Sequence, residues 1–300
     1  MGGGLGNAGP VVGALAAALL LALSRRKKKV EDEEAMIPES EEDYVSADTM
    51  GAVKPVDLQW RNISCSLVDK RGKHVKYLLN NVSGEANAGR LLAIMGPSGS
   101  GKTTLLNVLA GQLNASPRLT LSGYLYINGK PLVSSAHKIA YVRQDDLFFS
   151  QLTVRETLSL ASELQLSSSL SHEERKQYVD NILYRLGLVS CAESRVGDAK
   201  VRGISGGEKK RLSIACELIA SPSVIFADEP TTGLDAFQAE RVMETLQKLA
   251  VEGHTVVCSI HQPRGSIYAK FDDLILLAEG SLVYTGPAQD QALSYFSELG

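Results

Sequence analysis

One octapeptide, Gly96-Pro97-Ser98-Gly99-Ser100-Gly101-Lys102-Thr103, restricts this chain more than anything else in it. A glycine, four residues, then Gly-Lys-Thr is the spacing of a phosphate-binding P-loop. The short apolar run 91–95 before it reads as a buried strand, and 104–110 after it reads as a helix stopped at Gly111. Strand, glycine loop and helix form the setting such a loop needs. Glycines let the backbone turn and gather its N–H groups around phosphate oxygens, while the new helix turns its positive end to the same anion. Lys102 adds a mobile cation for the β- and γ-phosphates, and the Thr103 hydroxyl is a ligand for Mg²⁺. Gly96, Pro97, Ser98, Gly99, Ser100, Gly101, Lys102, Thr103 and Thr104 are the expected phosphate-binding set.

A chain of 300 residues predicts one large or two small folded units. Hydrophobic residues at 44% and charged residues at 22% give a balance able to bury a sizeable core. The net charge of -3 argues against a nucleic-acid partner. Cys65, Cys191, Cys216 and Cys258 are scattered, without a Cys-x-x-Cys pair or metal-ligand spacing, and read as reduced thiols of a cytosolic compartment.

The start of the chain has a different texture. Residues 11–23 are Val, Leu, Ala and Gly alone, followed at once by Arg25-Arg26-Lys27-Lys28-Lys29. No basic residue precedes the run, so a secretory leader is not expected. Extended back to Gly3 it can just cross a bilayer, with the positive charge keeping the remainder cytoplasmic. A disordered Gly/Ala-rich leader is the equal alternative for 1–24. The span 25–53 is expected to be a charged, disordered linker, and 54–300 the folded domain.

Within the folded part, 56–60 and 63–68 alternate as strands, 69–73 is a polar turn, and 74–82 returns. Trp60 and Tyr77 are aromatics able to stack on a base; packing in a core or at an edge is the ordinary alternative. Strand 121–127 runs into Asn128-Gly129, a hairpin signal. Strand 139–142 delivers Gln144, which can ligate Mg²⁺ or hold a water. Helical spacing over 154–166 and 173–186 marks an inserted helical block, opened by a capping box of Thr153 and Glu156. Ser205, Gly206 and Gly207 stand before a helix over 208–220, where exposed N–H groups and a hydroxyl make a second anion site. With one complete P-loop in the chain, that site serves a phosphate held elsewhere.

The apolar strand beginning at Val224 ends in two carboxylates. Asp228 fits the Mg²⁺-holding acid of a P-loop enzyme. Glu229 can face the γ-phosphate and polarise an attacking water. After a helix over 237–250, strand 255–259 presents His261, able to hydrogen-bond the γ-phosphate. A hairpin over 274–285 and a helix over 289–299 end the chain.

P-loop, glutamine, Ser-Gly-Gly-Glu, Asp-Glu and histidine, in that order, resemble the nucleotide-binding domain of an ABC transporter. The stretches GISGGEKKRLSIACELI, FADEPTTGLD and SIHQPRGSIYAKFDDLILL are similar to the G subfamily, the White–Brown group of half-transporters. The resemblance covers about 56–300 and implies an α/β P-loop NTPase fold. In it a RecA-like parallel sheet carries an antiparallel β subdomain and an inserted α-helical signature subdomain. It implies ATP and Mg²⁺, with Thr103, Gln144 and Asp228 around the metal. Lys102, Gln144 of the Q-loop, Glu229 as base and His261 of the switch would be catalytic. It also implies head-to-tail dimers, in which the signature Ser205, Gly206, Gly207 and Glu208 of one copy meets ATP on its partner. Asp235 would be the D-loop residue at that interface.

Two departures accompany the resemblance. The base-stacking aromatic of many members falls near Leu67, which offers apolar contact but no ring. The chain also ends at Gly300 with no multi-span segment, so the expectation is a cassette without its transmembrane domain. The expected function is ATP hydrolysis that drives export of a lipophilic substrate. The cassette would lie on the cytoplasmic face of a membrane, with no nucleic-acid partner. The alternatives are a truncated cassette that binds ATP without transport, and a soluble clamp on DNA or the ribosome. DNA clamps need long heptad arms, and none lies between Lys102 and Asp228.

Overall fold

The computed structural model describes residues 53–69, 74–113, 115–131 and 138–298. The apolar segment expected over 1–24 falls outside them, as do the linker up to residue 52 and the turn residues 70–73.

The described chain opens with β1 (Leu58–Val68) and β2 (His74–Ala86), then enters β3 (Leu91–Met95) and leaves the phosphate loop on α1 (Lys102–Leu109). β4 (Leu119–Ile127), β5 (Lys130–Pro131) and β6 (Ile139–Val142) follow. A helical block comes next: α2 (Val154–Gln165), α3 (His172–Arg185) and α4 (Gly206–Leu218). The chain then returns through β7 (Val224–Ala227), α5 (Ala236–Val251), β8 (Thr255–Ile260) and the short α6 (Gly265–Tyr268). β9 (Asp273–Ala278), β10 (Ser281–Pro287) and α7 (Asp290–Glu298) complete it.

Six strands form the main sheet in the order β10-β9-β3-β8-β7-β6. All neighbours are parallel except β9 and β10. Parallel strands covered on both faces should be apolar throughout, and β7 and β8 are buried at every residue. Met95 pairs with Ile260 and Ala227 with Cys258, so β3, β7 and β8 all finish along one edge of the sheet. The phosphate loop, Asp228-Glu229 and His261 are therefore delivered to the same side. Loops at the carboxyl ends of parallel strands are where ligands of such sheets bind.

The second sheet has the order β2-β1-β4-β5 and is antiparallel. Its hairpin turns on Asn128 and Gly129, both at positive φ (49° and 74°), the conformation that asks for Asn-Gly. Leu58, Trp60 and Val82 of this sheet share one core cluster with Leu105, Phe226 and Ile275. Trp60 is fully buried there, and a Cβ on Gly84 would lie 2.7 Å from its ring. Of its two readings, packing is the one observed.

The helical block is held by polar ties as well as by its core. Arg175 is buried and donates to the carbonyls of Ser162, at 2.9 Å, and of Ser167, fixing the end of α2 against the start of α3. Tyr178 of α3 donates its hydroxyl to Ile219 O at 3.0 Å, just beyond α4. Capping boxes open α2, α3 and α4 at Thr153, Ser171 and Ser205. The architecture is the expected α/β core with an antiparallel sheet and inserted helices. Several bounds differ: the expected strands 56–60 and 63–68 are the single β1, and α4 starts at Gly206 and not at 208, with Ser205 as its cap. α1 begins two residues before 104, because the loop's last residues already bond helically. β2 continues past 82 to Ala86, paired with β1 to its end. The turn α6 carried no periodicity to betray it.

Candidate functional site

The loop between β3 and α1 works only with glycine at particular places. Gly96 has φ 153°, and a Cβ there would sit 2.2 Å from Leu277 O and 2.6 Å from Ser100 Oγ. Gly101 has φ 101°, and its Cβ would be 2.7 Å from Leu78 O. The backbone is drawn in between β9, β2 and its own turn, which curls it into a cradle. Lys102 is buried and donates Nζ to Gly96 O and Pro97 O, both at 3.0 Å. Its charge is thus fixed across the loop and not left to wander in solvent. The Ser100 hydroxyl is shut from solvent and has no hydrogen-bond partner among the described residues. A buried hydroxyl left without such a partner is a group awaiting an acceptor.

Thr103 is on the first turn of α1, and its Oγ1 donates to Asp228 Oδ1 at 3.1 Å. Asp228 follows β7 directly and is buried. Two further side chains hold it. Ser259 of β8 donates to Oδ1 at 2.6 Å, and Tyr141 of β6 donates to Oδ2 at 3.4 Å. Burial, with the charge of Asp228 adding to it, pushes the Tyr141 phenol well above its ordinary value of 10.0, so it is a donor at neutral pH. Ser259 Oγ also accepts from the Glu229 N–H at 2.8 Å. One hydroxyl thereby fixes both carboxylate residues.

Glu229 sits at φ 43°, which a side chain rarely adopts without support. Its Oε2 accepts from Gln144 Nε2 at 3.2 Å and from Thr232 Oγ1 at 3.0 Å. Gln144 is itself held through its backbone. Lys210 of α4 donates Nζ to Arg143 O at 3.0 Å, Gln144 O at 2.8 Å and Asp146 Oδ1 at 2.8 Å. Lys210 is only 2% exposed. Burial pushes the Asp146 carboxyl above its ordinary value, while the lysine beside it pulls the other way.

The second expected anion site lies at the start of α4. Ser205 Oγ accepts from Glu208 N at 3.3 Å and donates to Glu208 Oε2 at 2.8 Å. Gly207 N–H donates to Gln238 Oε1 at 2.7 Å. Asp235 caps α5 by accepting from Gln238 N at 2.9 Å. Ser205, Gly206, Gly207, Glu208 and Asp235 are therefore one neighbourhood.

A cleft of about 300 Å³ opens over the loop, lined by Ser98, Gly99, Gly101, Lys102, Thr103 and Thr104 with Glu229 opposite. β2 supplies its other wall with Lys76, Tyr77 and Leu78. Tyr77 is the aromatic lining this cleft, and Leu67 does not line it. His261 follows β8 on the same edge but does not line it, and neither do the four signature residues. Among the residues of the site that escaped the sequence reading are Tyr141, Ser259, Thr232, Lys210 and Gln238. The first two are polar groups inside otherwise apolar strands, and that interruption was the available signal. Lys210 and Gln238 carry no pattern that separates them from surface residues of a helix.

Residues 79–232 match the family model described as ABC transporter. ABC transporter G family member 7 of Arabidopsis thaliana is 67% identical over 303 residues, covering 100% of this chain and 41% of that protein. ABC transporter G family member 1 of Dictyostelium discoideum is 46% identical over 77% of the chain and 29% of its own length. Protein scarlet of Drosophila melanogaster is 42% identical over 81% of the chain and 36% of its own length. The chain thus spans less than half the length of these relatives. A dimeric ATP-binding cassette solved in a post-hydrolysis state with ADP and Pi superposes with TM-score 0.62 at 26% identity, over 77% of this chain and 99% of that one. A dimeric bacterial ABC transporter cassette gives TM-score 0.62 at 28% identity, over the same shares of 77% and 99%. No helix among the described residues is long and apolar enough to cross a membrane.

Proposed function

The chain belongs to the ABC transporter family, and from that premise we propose that it is the ATP-binding and ATP-hydrolysing cassette of a G-subfamily half-transporter. Two such cassettes work as a dimer on the cytoplasmic side of a membrane domain that exports a lipophilic substrate. The observation that carries the reading is the meeting of Thr103 Oγ1 and Asp228 Oδ1, 3.1 Å apart beneath the phosphate cradle. A hydroxyl and a carboxylate are the oxygen donors Mg²⁺ takes together with phosphates and water. Gln144 lies one side chain further out, bonded to Glu229. When bound, Mg²⁺ neutralises charge on the β- and γ-phosphates.

The chain's own groups divide the remaining work. The loop amides, the Ser100 hydroxyl and Lys102 hold the triphosphate and take up charge on its outer oxygens as the bond to the leaving ADP stretches. Glu229 takes the proton of the water that attacks the γ-phosphorus in line. Ser259 and Thr232 keep that carboxylate in place, and Gln144 steadies it from the Q-loop. His261 is the further hydrogen-bond donor for the γ-phosphate once two copies close. Ser205, Gly206, Gly207 and Glu208 serve the ATP of the second copy, with Asp235 beside them at the seam. Tyr77 offers its ring to the base. Nucleic acid has no part in this.

The test is the Glu229→Gln variant with Mg²⁺ and ATP. Its turnover should fall about 10²- to 10⁴-fold while binding persists and a dimer accumulates in sedimentation. Lys102→Ala should abolish that dimer. A Glu229→Gln chain that stays monomeric at saturating ATP would refute the two-site reading.

A further inference from the structure

The signature loop of this chain is already occupied by the chain itself. Ser205 and Gly206 are exposed, but Gly207 is buried. What covers it is Gln238, on the first turn of α5, whose Oε1 accepts the Gly207 N–H at 2.7 Å. The fit is close. A Cβ on Gly207 would lie 2.9 Å from Gln238 Cβ, and one on Gly206 would lie 2.9 Å from Leu234 Cδ2. Neither glycine has positive φ, so it is the approach of α5 and not backbone twist that requires them. The Ser205 hydroxyl is engaged too, donating to Glu208 Oε2 at 2.8 Å. The backbone of Gln238 is meanwhile fixed by Asp235, at 2.9 Å.

We propose that Gln238 is a latch: its side-chain oxygen masks the Gly207 amide, and the γ-phosphate of a second copy must displace it to complete the site. This rests on the proposal that the signature serves a partner's ATP, and adds a positioning residue which that proposal did not contain. The exchange is chemically graded. A carboxamide oxygen is a neutral acceptor, whereas a phosphate oxygen is charged and bonds an amide about twice as strongly. The latch therefore holds while the loop faces water and yields when triphosphate is presented. Because Asp235 keeps the Gln238 backbone in place, release needs only rotation of one side chain, with no movement of α4 or α5. Gln238 thus joins the D-loop carboxylate to the signature amide, so closure of the seam and unmasking of the amide are one event.

The experiment uses the 300-residue chain carrying Glu229→Gln, and reads two quantities. One is the ATP concentration that gives half-maximal dimer in sedimentation. The other is hydrogen exchange of the Gly207 amide without nucleotide. Gln238→Ala should speed that exchange and lower the ATP requirement about two- to tenfold, the worth of one hydrogen bond. Gln238→Glu keeps an acceptor but sets a negative charge where the γ-phosphate arrives, so it should raise the requirement. An unchanged or raised requirement in Gln238→Ala overturns the latch. Should that variant fail to fold, Gln238→Glu decides, and no rise in requirement overturns it. Ser205→Ala separates the two ideas. If it leaves ATP-driven dimerisation intact, the partner-site reading itself is wrong. If it weakens the dimer while neither Gln238 variant shifts the requirement, the latch alone is wrong.

Discussion

Lys210, on the helix that Ser205 caps, donates its ammonium to the backbone carbonyl of Gln144 at 2.8 Å, and Gln144 in turn donates its side chain to Glu229 at 3.2 Å. The signature helix thus holds the Q-loop, and the Q-loop holds the proposed base of the same copy. The tie is a buried cation matched to Asp146 and two carbonyls, so cutting one partner should be costly. Lys210→Met is expected to lose about 2–4 kcal/mol of stability in urea unfolding, because the part-buried Asp146 loses its hydrogen-bonded counter-charge. Lys210→Met with Asp146→Leu should recover most of that loss. A single variant as stable as the parent would remove the tie from the account.

Ser259 is a smaller and more pointed case. Its hydroxyl donates to Asp228 at 2.6 Å and accepts from the Glu229 amide at 2.8 Å. Ser259→Ala should cost about 1–3 kcal/mol, since a part-buried amide loses its acceptor. It should also raise the Mg²⁺ concentration needed for half-maximal ATPase, because the Asp228 carboxylate loses one of the bonds that aim it. Titration of activity with Mg²⁺ at saturating ATP measures this. A shift in maximal rate alone would point to Glu229 instead.

The elements that could be read from the sequence are those whose signal is local. The P-loop names its own residues, the β-branched and apolar runs at β7 and β8 give buried strands, and Thr153 with Glu156 marks the start of α2 to the residue. Asn128-Gly129 turned the hairpin as its φ angles demand. Function-bearing contacts that depend on two distant elements were not legible. Ser259 and Asp228 meet only because β7 and β8 pair in a particular register, and Lys210 reaches Gln144 only because α4 lies under the loop after β6. Trp60 and Tyr77 looked equivalent as aromatics of neighbouring strands. Gly84 opposite Trp60 makes room for a buried ring, while Tyr77 faces the cleft, and no single-strand pattern distinguishes those fates.

Tyr77 supplies a prediction that separates base from phosphate. Tyr77→Ala should raise the KM for ATP by a stacking contribution of about 1–3 kcal/mol with kcat little changed. Tyr77→Phe should restore it, because stacking uses the ring and not the hydroxyl. Inorganic tripolyphosphate, which has no base, should compete equally well against both variants. A loss of kcat without change in KM would place Tyr77 outside base recognition.

The cap on α4 should make the signature acid-sensitive. Burial pushes the Glu208 carboxyl up, but the Ser205 amide and hydroxyl outweigh it and hold it below its ordinary 4.5. A depressed carboxyl stabilises the fold above its unfolded value, and that contribution fades as pH falls through the lower folded value. Hydrogen exchange over the first turn of α4 should therefore quicken as pH falls below the ordinary carboxylate value of 4.5. Glu208→Gln cannot ionise, so its local exchange should lack this step after correction for intrinsic rates. A step that persists in that variant would belong to another acid.

The loop glycines should separate steric need from conformational need. A Cβ on Gly96 would meet the carbonyl of Leu277 at 2.2 Å, and that atom is backbone of β9 with no rotamer to yield. Gly99 has nothing within 4 Å of its Cβ position, but its φ is 78°. Gly99→Ala should then cost only the left-handed backbone penalty, about 1–2 kcal/mol, and keep measurable ATP binding. Gly96→Ala must push the loop off β9, which moves the carbonyls that position Lys102 along with it. Calorimetry with ATP should show near-complete loss of binding for Gly96→Ala and a modest loss for Gly99→Ala. Equal losses would mean that the cradle depends on backbone twist throughout, and that its contact with β9 is incidental.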